Sequence, residues 1–185
     1  MMASKRPLTG PEAAWASSAM ASAAITSALR MPARLRLAAA VCARSANSST
    51  ERTLAALAAS AASVRSVELF ADLAETAAAT LKRSGILNAE VIAADAAADD
   101  AHTAAGPVSG RFDAIIFTAA LPVPDPRFEQ LLTEGGRMVA TVGKGPAQET
   151  LLITRTSGGE WVRDSLFDSS LDPLLNARQP ARFVF

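Results

Sequence analysis

The sequence contains no glycine between Gly10 and Gly85, although ten glycines occur in the whole chain. Glycine lacks a Cβ atom, so it allows a backbone turn to approach a bound nucleotide closely. The first strand-to-helix turn of nucleotide-binding α/β folds depends on this property. Residues 11–84 therefore offer no glycine-rich loop of the ordinary kind.

Cysteine and histidine each occur once, as Cys42 and His102. A single cysteine excludes an internal disulfide and any multi-cysteine metal site. Cys42 lies in an apolar run, which predicts a buried, inert thiol. His102 stands in a polar loop beside Asp99 and Asp100, a poor arrangement for a transition metal, and we expect it on the surface. We therefore expect no metal site and no Ser/His/Asp or Cys/His catalytic group.

Long apolar runs and excess charge are also missing. The most apolar region is interrupted by Arg30, Arg34, Arg36 and Arg44, so no membrane span is expected.

The formal net charge is zero, which argues against a general nucleic-acid-binding protein. However, residues 1–60 hold seven Lys or Arg against two acidic residues, a balance of +5. This basic segment predicts either contacts with RNA phosphates or acidic proteins, or merely a solvated helix face or targeting remnant.

The first 45 residues are rich in Ala, Ser and Arg and poor in acidic residues, a composition typical of mitochondrial transit segments. We expect a basic helical arm over residues 1–32, followed by one α/β domain over residues 33–185. The interpretation implies an intracellular, mitochondrial protein. Half of the residues are apolar, but only 5% are aromatic, so we expect helices packed on small side chains.

Strand and helix patterns alternate along the chain, with about 25–30 residues per unit, which indicates an α/β fold around a mostly parallel sheet. Leu35–Ala43 is apolar enough for a buried strand and rich enough in alanine for a helix. The last two strands lie too close for a crossover helix and predict an antiparallel C-terminal hairpin. Besides that ambiguous segment, the predicted strands are Val64–Phe70, Glu90–Ala94, Phe112–Phe117, Arg137–Val142, Leu151–Arg155 and Trp161–Phe167, and the later helices are Asp72–Ser84 and Phe128–Leu132.

Two segments of the second half carry a family resemblance. Phe112–Ala120 reads Phe-Asp-Ala-Ile-Ile-Phe-Thr-Ala-Ala, and Leu131–Val139 reads Leu-Leu-Thr-Glu-Gly-Gly-Arg-Met-Val. With Val142-Gly143 and the late hairpin, they resemble the protein-L-isoaspartate O-methyltransferase family. The resemblance implies a Rossmann-like class I fold that depends on S-adenosylmethionine.

The resemblance implies three site residues. Glu68 matches the acid at the end of the family's second strand, which holds the cofactor ribose, and Asp95 matches the acid beside the adenine. Ser18 matches a serine of the substrate loop. Glu68 and Asp95 also have structural alternatives, since Glu68 suits a helix N-terminus and Asp95 a solvated acidic loop. Asp113 and Lys144 fit a strand start and a turn.

The first half departs from the family pattern. Residues Ala39–Ser49 fall where the family has its glycine loop, and they contain neither glycine nor an acidic residue. Arg44 falls near the expected position of the sulfonium, where a second cation is unfavourable. The chain also begins just before the substrate loop, so we expect the family's N-terminal helical region to be missing.

These departures favour a non-catalytic, methyltransferase-like protein that acts as a structural or assembly subunit of a larger, mitochondrial complex and binds no cofactor. The alternative is an active carboxyl methyltransferase that transfers a methyl group from S-adenosylmethionine to an isoaspartyl carboxylate. In that case Ser18 would contact the substrate, and Glu68 and Asp95 would hold the cofactor. A third hypothesis is a small-ligand-binding module that reuses the same cleft.

Overall fold

The computed structural model describes residues 36–40, 54–55, 57–59, 61–145 and 147–181. The predicted arm over residues 1–32 lies outside these ranges, and so do residues 41–53. A short 3-10 helix covers Asp99–His102, and residues 54–55 and 57–59 are helical. The strands in the described ranges are β1 Arg36–Ala40, β2 Ser63–Glu68, β3 Ala89–Ala93, β4 Phe112–Leu121, β5 Leu132–Lys144, β6 Ala147–Arg155 and β7 Trp161–Ser169, and the helices are α1 Ala71–Arg83 and α2 Pro126–Glu129.

The strands form one sheet in the order β3-β2-β1-β4-β5-β6-β7. Neighbours from β3 to β5 pair in parallel, while β6 is antiparallel to both β5 and β7. The ambiguous Leu35–Ala43 segment therefore forms a strand within the described ranges. This arrangement confirms the predicted Rossmann-like class I methyltransferase fold and its antiparallel C-terminal hairpin.

Strand β4 is buried on both faces. Ile115 and Phe117 belong to the core on one side of the sheet, whereas Ala114 and Ile116 belong to the core on the other. Successive side chains of a strand point to opposite faces, and a central parallel strand is covered on both, so its sequence is continuously apolar rather than alternating. The run Phe112–Leu121 has this character.

Helix α1 follows β2 and ends where the sequence predicts. Leu81 is buried in the core on the face shared with Ile116. At the helix end, Gly85 has a φ of 74°, and the Ile86 N–H donates to the Leu81 carbonyl at 3.0 Å. A left-handed residue at this position closes a helix and satisfies its last carbonyls, and glycine adopts it without steric cost.

The α2–β5 region differs from the prediction of a helix over Phe128–Leu132. Asp125 accepts a hydrogen bond from the Arg127 N–H at 3.0 Å, and Pro126 occupies the first helical turn, so α2 begins earlier. Leu132 already pairs with Phe112 as the first residue of β5. A register shift follows, because Gly135 takes a φ of 73° before regular pairing resumes. Sequence periodicity detects only the regular part of such a strand.

The segment after β3 is more buried in the structure than its polar composition suggests. Its apolar residues are buried in the core on the side of the sheet that holds Ile115 and Phe117: Ala96, Ala97, Ala101 and Val108. His102 is half-buried rather than on the surface, and its ring meets Phe128 edge to face at 4.6 Å between ring centroids. The prediction of an exposed histidine was therefore wrong, since the ring turns inward onto Phe128, next to the buried Ala101.

Residues 171–177, here called the C-terminal strap, return to the sheet after β7. The Gln148 side chain donates to the Leu171 carbonyl at 3.0 Å and accepts from the Leu171 N–H at 2.7 Å. The Ala120 N–H donates to the Asp172 carbonyl, and the Leu174 N–H donates to the Ala120 carbonyl, both at 2.8 Å. The strap is thereby bonded to β6 and to the carboxyl end of β4.

Strands β5 and β6 share a buried polar contact. Thr141 and Thr150 are register partners, only 3% and 2% exposed, with their hydroxyl oxygens 2.8 Å apart. A buried hydroxyl that loses its partner keeps its desolvation penalty, whereas removing both hydroxyls removes the penalty as well.

We therefore predict that Thr141→Val or Thr150→Val alone lowers the free energy of unfolding by about 1–3 kcal/mol. The double variant should lose clearly less than the sum of the two single losses, because the two hydroxyls act as a pair. Urea titration of the four proteins measures this difference. If the losses in free energy of unfolding were additive, the two hydroxyls would not depend on each other for hydrogen bonding.

Candidate functional site

The order of the strands places the candidate site. The chain adds β2 and β3 on one side of β1 and then returns to add β4 on the other. In open parallel sheets, ligands bind outside the carboxyl ends of the strands at this point of reversal. Ala40, the last residue of β1, pairs with Val67 on one side and with Phe117 on the other. Glu68 and Thr118, each one residue further along, therefore stand at the rim of this crevice.

Glu68 ends β2 with its side chain almost fully buried, since the residue is 6% exposed. Its Oε1 atom accepts a hydrogen bond from the Phe70 N–H at 3.2 Å. Burial raises the pKa of the Glu68 carboxyl above its ordinary value, hydrogen bonds from the Phe70 and Leu69 N–H groups oppose that shift, and the charge of Asp72 adds to it. A carboxylate has about four acceptor positions, so the backbone leaves room for further donors.

Asp95 follows β3 and is held from two directions. Its Oδ1 atom accepts a hydrogen bond from the Ala97 N–H at 2.8 Å. Its Oδ2 atom accepts one from the Nδ2 atom of Asn176 in the C-terminal strap, also at 2.8 Å. The first contact fixes the local turn, and the second joins the loop after β3 to a segment 81 residues later in the chain.

A buried ion pair lies beyond β4. Arg127 donates to Asp125 from Nε at 3.1 Å and from its second terminal nitrogen at 2.7 Å, while its first terminal nitrogen lies 2.6 Å from exposed Asp99. Burial by itself would raise the pKa of Asp125, but the hydrogen bonds and charge of Arg127 outweigh it, and the pKa is lowered. The pair fixes α2 against the loop after β3.

His102 lies between this ion pair and the aromatic core. Burial lowers the pKa of the His102 imidazole, and the charge of Arg127 lowers it further, while the carbonyl of Ala96 and nearby acids oppose the shift. Its Nε2 atom is 3.0 Å from the Ala96 carbonyl. An imidazole that is neutral at pH 7 and packed against Phe128 acts here as part of the core.

Two other predicted residues have structural contacts. Asp113 lies at the start of β4, where its Oδ1 atom accepts a hydrogen bond from the Thr133 hydroxyl at 2.9 Å. Lys144 is the last residue of β5 rather than part of a turn, and its Nζ atom donates to Gln179 at 2.7 Å. Ser18 and Arg44 lie outside the described residues.

Sequence reasoning missed several residues around the crevice. Asp125 is followed by Pro126, and this Asp-Pro pair is a helix-start signal that could have identified Asp125 as the N-cap of α2. Arg127 follows within the same helix. Asn176 gave no sequence signal, because its contact with Asp95 depends on the path of the strap. The Thr118 hydroxyl is buried and has no hydrogen-bond partner among the residues that the structure describes.

Two absences hold for the described part of the chain. No group of three or more His, Cys, Asp and Glu side chains there could hold a metal ion. No helix within the same ranges is both long and apolar enough to cross a bilayer.

Sequence comparisons point to a single family. A family model described as Protein-L-isoaspartate(D-aspartate) O-methyltransferase matches residues 45–177, more than two thirds of the chain. A protein-L-isoaspartate O-methyltransferase from Methanoculleus marisnigri is 38% identical over 93 residues, covering 50% of this chain and 39% of that protein. One from Koribacter versatilis is 35% identical over 118 residues, covering 63% and 50%. The chain spans about half or less of the length of these curated relatives.

Solved structures share the fold. The protein-L-isoaspartate O-methyltransferase of Plasmodium falciparum, solved with S-adenosyl-L-homocysteine, superposes with a TM-score of 0.61 at 18% identity, covering 95% of this chain and 79% of that one. Another structure of a protein-L-isoaspartate O-methyltransferase gives a TM-score of 0.64 at 16% identity, covering 83% and 46%.

The strand order and the acid at the end of β2 are consistent with the family that the model over residues 45–177 identifies. The chain belongs to the protein-L-isoaspartate(D-aspartate) O-methyltransferase family.

Proposed function

We propose that this chain binds S-adenosylmethionine at the crevice between β1 and β4 and methylates the isoaspartyl carboxylate of damaged proteins. The observation that carries the proposal is the family match over residues 45–177. It includes the carboxyl ends of β2, β3 and β4. The comparisons favour this activity over the non-catalytic role that the missing glycines suggested.

The described residues fit such a cofactor. Glu68 is a buried carboxylate at the carboxyl end of the strand next to β1, where an acid accepts hydrogen bonds from ribose hydroxyls. Asp95 would lie near the adenine, and the Thr118 hydroxyl, which has no hydrogen-bond partner among the described residues, adds a polar group at the same rim. When bound, the cofactor supplies a methyl group on a sulfonium.

Little acid–base chemistry is required of the protein. An isoaspartyl carboxylate is ionised at pH 7 and is itself the nucleophile, so one of its oxygens forms a bond to the methyl carbon while the carbon–sulfur electron pair returns to sulfur. The contribution of the protein is to align the two reactants and exclude water. Ser18, if it contacts the substrate, would serve this alignment.

A non-catalytic role remains the second candidate because of one specific observation. No glycine occurs in residues 11–84, so every residue that follows β1 as far as Ser84 carries at least a Cβ atom. If their side chains fill the crevice, the fold would act as a subunit of a larger, mitochondrial assembly. The excess of five positive charges in residues 1–60 would then support docking on protein or RNA.

Binding and transfer decide between the two candidates. We expect S-adenosylhomocysteine at 100 times its Kd to stabilise the protein by about 2.7 kcal/mol, which thermal unfolding detects. Purified protein with radiolabelled S-adenosylmethionine should methylate a peptide that contains isoaspartate, and the matched peptide with ordinary aspartate should stay unlabelled. No stabilisation at millimolar ligand, together with no transfer, would support the non-catalytic role.

The role of Glu68 gives a sharper prediction. Glu68→Gln should weaken S-adenosylhomocysteine binding about 10- to 100-fold, because hydrogen bonds to a charged acceptor are lost. Glu90→Gln is the matched control, since Glu90 is exposed near the amino end of β3 and pairs only weakly with Arg65 at 3.3 Å. Isothermal calorimetry compares the three proteins. Equal affinity of Glu68→Gln and the unaltered chain would remove Glu68 from the site.

The same substitution should stabilise the ligand-free protein. The folded-state pKa of Glu68 lies above the ordinary value of 4.5, so its ionisation opposes folding at every pH above the folded-state pKa. We expect Glu68→Gln to raise the Tm at pH 7, as measured by thermal unfolding. The gain should vanish as the pH falls through the raised pKa toward 4.5. A lower Tm at pH 7 would mean that Glu68 serves the backbone turn.

A further inference from the structure

The C-terminal strap reaches the rim of the candidate site. Its backbone is bonded to Ala120 at the carboxyl end of β4, and its Asn176 side chain is bonded to Asp95 after β3. In the sheet, β3 and β4 flank β2 and β1, so the two anchors belong to strands on either side of the crevice. The strap also contributes Leu174 and Ala177 to the core beside Phe117.

The contact at Asn176 is specific in its geometry. Asn176 has a φ of 59°, a left-handed conformation that non-glycine residues rarely adopt but that asparagine tolerates better than most. This conformation accompanies the side-chain amide bond to Asp95 Oδ2 at 2.8 Å. Since the Ala97 N–H already holds Oδ1, the second bond fixes the plane of the carboxylate. Neither contact uses all acceptor positions of the carboxylate.

We propose that the strap is a wall of the cofactor site and that Asn176 is a positioning residue, which holds the Asp95 carboxylate in the orientation that binds the cofactor. The inference rests on the proposed cofactor binding. Docking of the strap and binding of the cofactor are therefore linked, and each strengthens the other by the same factor.

Substitutions at Asn176 can separate the amide bond from the path of the backbone. Asn176→Gly removes the amide but keeps a residue that adopts a positive φ without strain. The backbone bonds at Leu171, Asp172 and Leu174 remain. Asn176→Asp keeps the shape, removes the donor and places two carboxylates together. Gln130→Ala, which removes an exposed side-chain amide outside the strap, is the control.

The experiment combines calorimetry with S-adenosylhomocysteine and hydrogen exchange of the full chain. We expect Asn176→Gly to weaken binding about tenfold, Asn176→Asp to weaken it further, and Gln130→Ala to leave it unchanged. In the unaltered chain the ligand should slow exchange of the Leu171 and Leu174 amides, and in Asn176→Gly this slowing should shrink. With S-adenosylmethionine as the varied substrate, KM should rise while kcat at saturation stays the same.

The possible failures are distinguishable. If the unaltered chain does not bind S-adenosylhomocysteine, the proposed function fails and this inference fails with it. If the unaltered chain binds and Asn176→Gly binds equally well, only the inference is overturned. It is also overturned if the ligand leaves exchange of the strap amides unchanged, since linkage requires an effect in both directions.

Discussion

The parallel insertion of β1 between β2 and β4 is the constraint on which the rest of the structure depends. It aligns Ala40 with Val67 and Phe117, and so brings the carboxyl ends of three strands to one edge. The strand order reverses at this point, and in open parallel sheets the ligand crevice lies outside the carboxyl ends of the strands at such a reversal. Glu68 lies at its rim because β2 extends one residue past the last pair with β1.

The polar groups around this edge are maintained by contacts between distant parts of the chain. Arg127 connects α2 to the loop after β3 through Asp125 and Asp99, and Asn176 connects the C-terminal strap to Asp95. The Asp125–Arg127 pair is the buried one, so a group left unpaired there would retain its desolvation penalty, whereas Asp99 and Asn176 are exposed. The apolar counterpart is the edge-to-face series of His102, Phe128 and Phe117. Polar and aromatic contacts thus hold the same loop.

Once the fold is known, the missing glycines are weaker evidence for a non-catalytic role. A glycine loop is one way to bring a nucleoside close to a sheet, and its absence first favoured a non-catalytic protein. Yet Glu68 lies at the end of β2, Asp95 follows β3, the strand order is that of the class I methyltransferase fold, and the family match covers these positions. Residues 39–49 differ from the family pattern by more than glycine, since they also contain Arg44 and no acidic residue, and a measurement of cofactor binding decides their effect.

The sequence by itself determined the regular elements whose signals are local. The apolar run of β4, the helix ending at Gly85 and the antiparallel C-terminal hairpin were all predictable, because periodicity, a residue suited to positive φ and the short spacing of two strands act over a few positions. The family resemblance, rather than the local pattern, implied that Glu68 and Asp95 lie at strand ends. Only the tertiary structure decided that His102 turns inward, that Leu132 already belongs to β5, and that Asn176 meets Asp95. These outcomes depend on which distant surfaces pack together, and no pattern within a short segment contains that information.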